Sequence, residues 1–141
     1  MPCESRYICE WIDCPAHAAY DFASDPARLP EWAPGLGSAV ECVDGEWFVE
    51  TPMGRVSFAF APQNEFGVLD HEVTLPSGEV FYNPMRVVPD GEACEVVFAL
   101  RRQQGMSDEE FERDRAAVAS DLAKLKHVLE SGPAAANRGH T

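Results

Sequence analysis

Residues 106–130, MSDEEFERDRAAVASDLAKLKHVLE, decide the fold. Ser107 and Glu110 stand three apart as a reciprocal N-terminal cap, and Met106 and Phe111 hold the flanking positions of a hydrophobic staple. Asp108, Glu109, Glu110, Glu112 and Asp114 crowd the first turns and Lys124, Lys126 and His127 the last, as the helix dipole favours. Phe111, Val118, Leu122, Leu125 and Leu129 recur at helical intervals and form a single apolar stripe. The pattern predicts a helix over 107–130, ended by Gly132-Pro133, with 131–141 a disordered tail that carries no core residue. Such a stripe must be buried against something, and the upstream sequence supplies a sheet.

Residues 5–14, SRYICEWIDC, alternate as a strand with Ile8 and Ile12 on one face and Tyr7, Cys9 and Trp11 on the other. Pro15 ends it and suits the first turn of a short helix, AHAAYDF; Asp25-Pro26 starts a second. The segment ARLPEWAPGLG, 27–37, carries two prolines and two glycines and predicts a loop that holds Leu29 and Trp32. From 38 to 102, turn signals come at strand spacing: Asp44-Gly45 marks a type I′ hairpin between SAVECV and EWFVET. RVSFAFAP, VLDHEVTL, EVFYNPMRVV and ACEVVFALRR follow, separated by Gly67, Pro76 to Gly78 and Pro89 to Gly91. Six strands here and one before make seven, and Pro84 within the sixth strand implies a bulge or an edge position.

The class is therefore α+β, with a curved seven-stranded antiparallel sheet around one long C-terminal helix and two short helices after the first strand. Seven strands at ~4.8 Å span about 29 Å, whereas a helix is only ~10–12 Å across. One helix cannot cover that sheet, so the sheet must curl, and the uncovered concave face becomes a pocket or a subunit interface.

The 141 residues suit one domain, over 5–130, and 45% apolar with 25% charged residues is ordinary for a globular chain. Acidic residues outnumber basic ones by 24 to 11, and the net charge of −13 would repel nucleic acid and anionic membranes. No apolar run has spanning length, and the absence of an export signal at the N-terminus makes the cytoplasm the expected compartment. Five cysteines without a CxxC pair, mostly in apolar stretches, predict reduced core thiols. Histidines scattered singly argue against a metal site, and no nucleotide or cofactor motif is present, so no cofactor is expected.

The opening ICEWIDCPAHAAYDFASDPARLPEW (8–32), the DG hairpin and the final MSDEEF helix resemble the START-like (SRPBCC) ligand-binding superfamily with the helix-grip fold. That group includes polyketide cyclase/dehydrase-like proteins, Hsp90 ATPase activator-like domains and Bet v 1-type proteins. The resemblance covers 5 to about 130 and implies an apolar cavity between sheet and C-terminal helix, entered near the short helices. It transfers no catalytic residue, because these differ from branch to branch.

The period-two rule assigns inward residues: Trp47 and Val49; Val56, Phe58 and Phe60; Leu69, His71, Val73 and Leu75; Val96, Phe98 and Leu100. Asp70, Glu72 and Thr74 then face outward. In the sixth strand the inward set is Phe81, Asn83, Met85 and Val87, or Val80, Tyr82 and Arg86 if Pro84 shifts the register. Trp32 either gates an entrance or packs down as a lid, and Leu122 faces the cavity from the helix. The expected ligand-binding set is Trp32, Trp47, Phe58, Phe60, His71, Phe81, Asn83, Met85, Phe98 and Leu122. Glu10, His71 and Asn83 are polar residues on apolar surfaces; His71 and Glu10 are the candidate acid-base groups, while Asn83 could instead satisfy backbone freed by Pro84. Arg86, Arg101 and Arg102 read as solvated or paired charges. The leading expectation is binding of a small hydrophobic or aromatic molecule, lipid or polyketide-like. The alternatives are an enzyme of cyclase, aromatase or dehydratase type in the same cavity, and an Hsp90 activator-like interaction domain; a homodimer is left open.

Overall fold

A computed structural model of the chain describes residues 4–33, 39–51 and 54–131. The final residues expected to form a tail lie outside this range, apart from Ser131, as do Cys3 and much of the loop after Trp32. Among the described residues the order is β1 (Ser5–Ile12), α1 (Ala16–Ala23), a 3-10 turn (Pro26–Arg28), α2 (Leu29–Trp32), β2 (Val40–Val43), β3 (Glu46–Thr51), β4 (Gly54–Phe60), β5 (His71–Thr74), β6 (Val80–Asn83), β7 (Met85–Asp90), β8 (Ala93–Arg101) and α3 (Asp108–Ser131). All strand pairs are antiparallel. The segment expected as a loop thus includes a short helix, because Pro26 and Pro30 sit in first-turn positions where their missing N–H groups cost nothing.

The helix start is built as its sequence predicts. The Ser107 amide donates to Glu110 Oε1 and the Glu110 amide to Ser107 Oγ, both at 3.1 Å. Phe111, Leu122, Leu125 and Leu129 are buried and Val118 packs beside them. At the other end Lys126 Nζ donates to the Trp11 carbonyl at 2.8 Å and to Glu130 at 2.7 Å, tying α3 to the end of β1. The helix packs chiefly on β1, against α2 and to a smaller extent on β8. The DG turn is also as read: Asp44 and Gly45 have φ of 52° and 82°, the left-handed pair that a type I′ hairpin requires.

Among the described residues there are eight strands in two sheets, β1-β8-β7 and β2-β3-β4-β5-β6, where seven in one were expected. The cause is Pro84. It has no N–H for the ladder, so the predicted sixth strand divides into β6, paired with β5, and β7, paired with β8. The division leaves alternation intact: Met85 and Val87 are buried and Phe81 and Asn83 half-buried, while Val80, Tyr82 and Arg86 are exposed, so the register does not shift.

Asp70 departs from its expected outward, solvated position. It is 6% exposed because Tyr82 and Arg86 fold over it. Its carboxylate accepts from the Met85 amide (2.9 Å), Tyr82 Oη (2.6 Å) and Arg86 Nε and Nη2 (3.2 and 2.9 Å). The backbone next to Pro84 is thus satisfied by Asp70, not by Asn83. Two of the cysteines also depart: Cys14 and Cys94 are buried thiols, but Cys9 and Cys42 lie exposed on β1 and β2. Arg86 and Arg102 are paired, the latter with Glu4 and Asp108, whereas Arg101 is exposed.

Burial raises the Asp70 pKa, but its bonds to Arg86, Tyr82 and Met85 outweigh that and hold it at about 2, against an ordinary 3.8. A carboxylate depressed on folding stabilises the protein above its unfolded pKa and ceases to do so as pH falls through the folded value. The difference corresponds to about 2 kcal/mol, an upper figure since the Arg86 partner is half-exposed. Asp70→Asn should therefore unfold in urea with about 2 kcal/mol less stability at pH 7, and the gap to the wild type should close between about pH 4 and pH 2. A gap that persists unchanged at pH 2 would mean that Asp70 acts only by packing.

Candidate functional site

The main α3 contacts are with β1, α2 and β8, and the wing formed by β2–β6 carries inward side chains of its own. On it, register places Trp47 opposite Phe58, and Phe60 and Asn83 on either side of His71. Phe58, Phe60, His71 and Phe98 form one ring cluster. The His71 imidazole stacks on Phe58 at 4.9 Å and 20°, meets Phe60 edge-on at 5.6 Å and Phe98 at 5.9 Å. Met85, opposite Phe98 in the β7–β8 ladder, is buried beneath them. Phe81 is half-buried opposite Val73.

His71 is 5% exposed. Its Nδ1 lies 3.0 Å from the Leu69 carbonyl. A carbonyl only accepts, so Nδ1 carries the proton and Nε2 presents a lone pair. Nε2 makes no hydrogen bond among the described residues. Burial lowers the pKa of this imidazole, against the opposing effects of the Leu69 bond and the nearby Asp70 charge. The side chain is therefore a neutral acceptor within an aromatic wall.

Two recesses meet at this wall. One, of about 390 Å³, lies between the end of α1 with its following 3-10 turn and the β2–β3 hairpin; Pro26, Trp47, Phe58 and Phe60 line it, with Asp44 and Glu46 on the hairpin side. It shares Ala59 and Phe60 with a second, of about 320 Å³, lined also by Asp70, His71 and Tyr82. The first opens beside the short helices.

The remaining sequence candidates lie elsewhere. Trp32 packs down, 5% exposed, on the α2 side of α3, and Leu122 is buried on that helix. Glu10 is half-buried on the same face of β1 as Ile8 and Ile12, with Val96 as its ladder partner. The structure thus joins Trp47, Phe58, Phe60, His71 and Phe98, and leaves Trp32, Leu122 and Glu10 nearer the helix. Two polar features were not anticipated. Trp32 Nε1 is a buried donor without a partner among the described residues. On α3, burial raises the Asp121 pKa to about 6, with Lys124 opposing. Its spacing of three from Val118 and four from Leu125 was the available signal, since it borders the apolar stripe.

Among the described residues no His, Cys, Asp or Glu cluster is placed to hold a metal ion, and no helix is long and apolar enough to cross a membrane.

No family model matches the chain, and no curated protein matches it. Solved structures do share its fold. Ara h 8.0201 superposes with a TM-score of 0.70 at 13% identity, covering 93% of this chain and 100% of that one. Truncated norcoclaurine synthase from Thalictrum flavum gives 0.63 at 13%, covering 94% and 98%. DynU16, a putative protein in the dynemicin biosynthetic locus, gives 0.69 at 16%; 94% of this chain is covered, but it spans only 49% of that protein. The fold is therefore the helix-grip fold expected from the sequence.

The protonation of His71 can be read directly. Nitrogen NMR should show the Nδ1–H tautomer, and the ring should protonate only below the ordinary 6.5. Between those two values the unfolded chain binds the proton and the folded chain does not, so stability should fall as pH drops below 6.5, and His71→Phe should remove that slope. An Nε2–H tautomer, or a midpoint at or above 6.5, would contradict the assignment.

Proposed function

We propose that the chain binds a small, uncharged aromatic or otherwise apolar molecule that carries a hydroxyl, seated against Trp47, Phe58 and Phe60. The observation that carries this reading is His71 Nε2: a neutral acceptor with no protein donor among the described residues, on a ring that lines the second recess and touches Phe58 and Phe60, which line the first. No protein group among the described residues donates to this lone pair, so a hydroxyl on a ligand can donate to it in place of water, a net gain of about 1 kcal/mol. The recess volume of about 390 Å³ lies within the range of small-molecule sites. The shared fold supports the reading at the level of architecture, and neighbours with that fold include a named synthase.

Proton transfer in a cyclase, aromatase or dehydratase is the weaker reading. It needs a second free titratable group at the same point in space, yet of those that line the recess with His71, Tyr82 is bonded to Asp70 and Glu72 is exposed on the other face of β5, and Glu10 stands on β1. The adjacent Asp70 carboxylate is already engaged with Arg86, Tyr82 and Met85.

Quenching of tryptophan fluorescence tests the proposal with 2-naphthol and its methyl ether, 2-methoxynaphthalene. The wild type should bind the naphthol about fivefold more tightly, the worth of one net hydrogen bond. His71→Phe keeps the ring stack and should equalise the two affinities, while Trp47→Ala should weaken both. A preference that survives in His71→Phe, or no saturable binding of either compound, would refute the reading.

A further inference from the structure

The loop between β4 and β5 is organised around one side chain. Asn64 Oδ1 accepts the amides of Phe66 (2.9 Å) and Val68 (3.0 Å), while Nδ2 donates to the carbonyls of Pro62 (2.9 Å) and Val68 (3.0 Å). The Asn64 amide in turn donates to Tyr20 Oη on α1 at 3.0 Å. Gly67 closes the loop onto β7: its carbonyl accepts from the Val87 amide at 2.8 Å, and its φ is +75°. A Cβ there would stand 2.3 Å from the Val87 carbonyl oxygen, so no other residue fits. This loop nevertheless holds the Phe66 side chain out at 82% exposure.

Phe66 borders a pocket of about 570 Å³ between α1, the loop and β7. Ala16, Val87 and Pro89 supply its apolar surface, and His17 and Tyr20 line it as well. Asp21 and Glu65 line the same pocket, and among the described residues neither carboxylate has an ion pair or hydrogen bond. Arg28, the arginine or lysine nearest to Asp21 in sequence, is held by Asp25 and Glu31.

We propose that this pocket is a second binding site, for a small organic cation: an ammonium head on an aromatic or apolar body. Two unpaired carboxylates and a net charge of −13 exclude anions. A bare metal ion lacks ligands there, since no described group of carboxylates and imidazoles is placed to hold one. An ammonium head would find carboxylates on both α1 and the loop and an exposed ring at Phe66, while Val87 and Pro89 offer apolar surface to the body. None of the residues that wall the Trp47–Phe58–Phe60 recess lines this pocket, so the two proposed sites can be tested by separate variants.

Amide NMR titration of the full chain with benzylamine, and with benzyl alcohol as the uncharged analogue of the same size, tests this. Benzylamine should shift resonances of 16–21, 63–67 and Val87, and should bind about tenfold more tightly than the alcohol at low salt. That advantage should shrink when ionic strength is raised to about 0.15 M. The double variant Asp21→Asn, Glu65→Gln removes only unpaired carboxylates and should abolish it; Phe66→Ala should weaken amine binding about threefold. Equal affinities for amine and alcohol, an unchanged amine affinity in the double variant, shifts centred elsewhere, or no saturation would each overturn the proposal. His71→Phe, which alters the ring wall behind the Trp47–Phe58–Phe60 recess, should leave benzylamine binding unchanged, so the two proposed sites can fail separately.

Discussion

The fold turns on the carboxylate of Asp70. A strand that runs from β6 into β7 must leave β5 and join β8, and it does so at a proline that cannot donate to either neighbour. Met85, just past the break, would bury an unpaired amide without Asp70 Oδ1 at 2.9 Å. Tyr82 before the break and Arg86 after it close over the same carboxylate, so one group clamps both halves of the divided strand. Because Asp70 precedes the first residue of β5, the clamp also fixes where that strand begins and hence where His71 stands.

The division has a consequence for the interior. A continuous sheet can be closed by a helix laid along it, but here α3 packs mainly on β1, tied by Lys126 and Glu130 to the end of that strand. The β2–β6 wing is left to fill its own concave face, and it does so with rings. Rings pack into a wall but leave edges and gaps that aliphatic side chains would close, and the recess lies along that wall. The histidine within it is held neutral by burial and turned by the Leu69 carbonyl, so its free lone pair is a product of local backbone and not of a catalytic partner.

Much of this was legible in the residues. The Ser107–Glu110 cap, the stripe from Phe111 to Leu129 and the Asp44-Gly45 turn are local signals, and each is realised locally. Period-two alternation also placed Trp47, Phe58, Phe60, His71 and Phe98 on the inner surface. What alternation cannot convey is how far a side chain on the next strand reaches. Asp70 looked outward and solvated because the covering atoms belong to Tyr82 and Arg86, twelve and sixteen residues away. Cys9 and Cys42 failed for the related reason that an apolar neighbourhood in sequence does not reveal which face of a strand is wet. The Asn64 loop was invisible for another: its four side-chain bonds fall within the loop itself, where no periodicity operates, and only the glycine at 67 marked the turn.

The two proposed sites differ in what their walls offer. The Trp47–Phe58–Phe60 recess has rings on one side and Asp44 and Glu46 on the hairpin side, so its wall suits an apolar body while its rim repels anions. In the pocket between α1 and β7, Asp21 and Glu65 are exposed, and a cation proposed there would keep part of its hydration beside their charge. Both proposed sites therefore disfavour anions, and the ring wall of the first against the unpaired carboxylates of the second is what would distinguish their ligands. The two linings share no residue, so one small domain can offer both without a common wall.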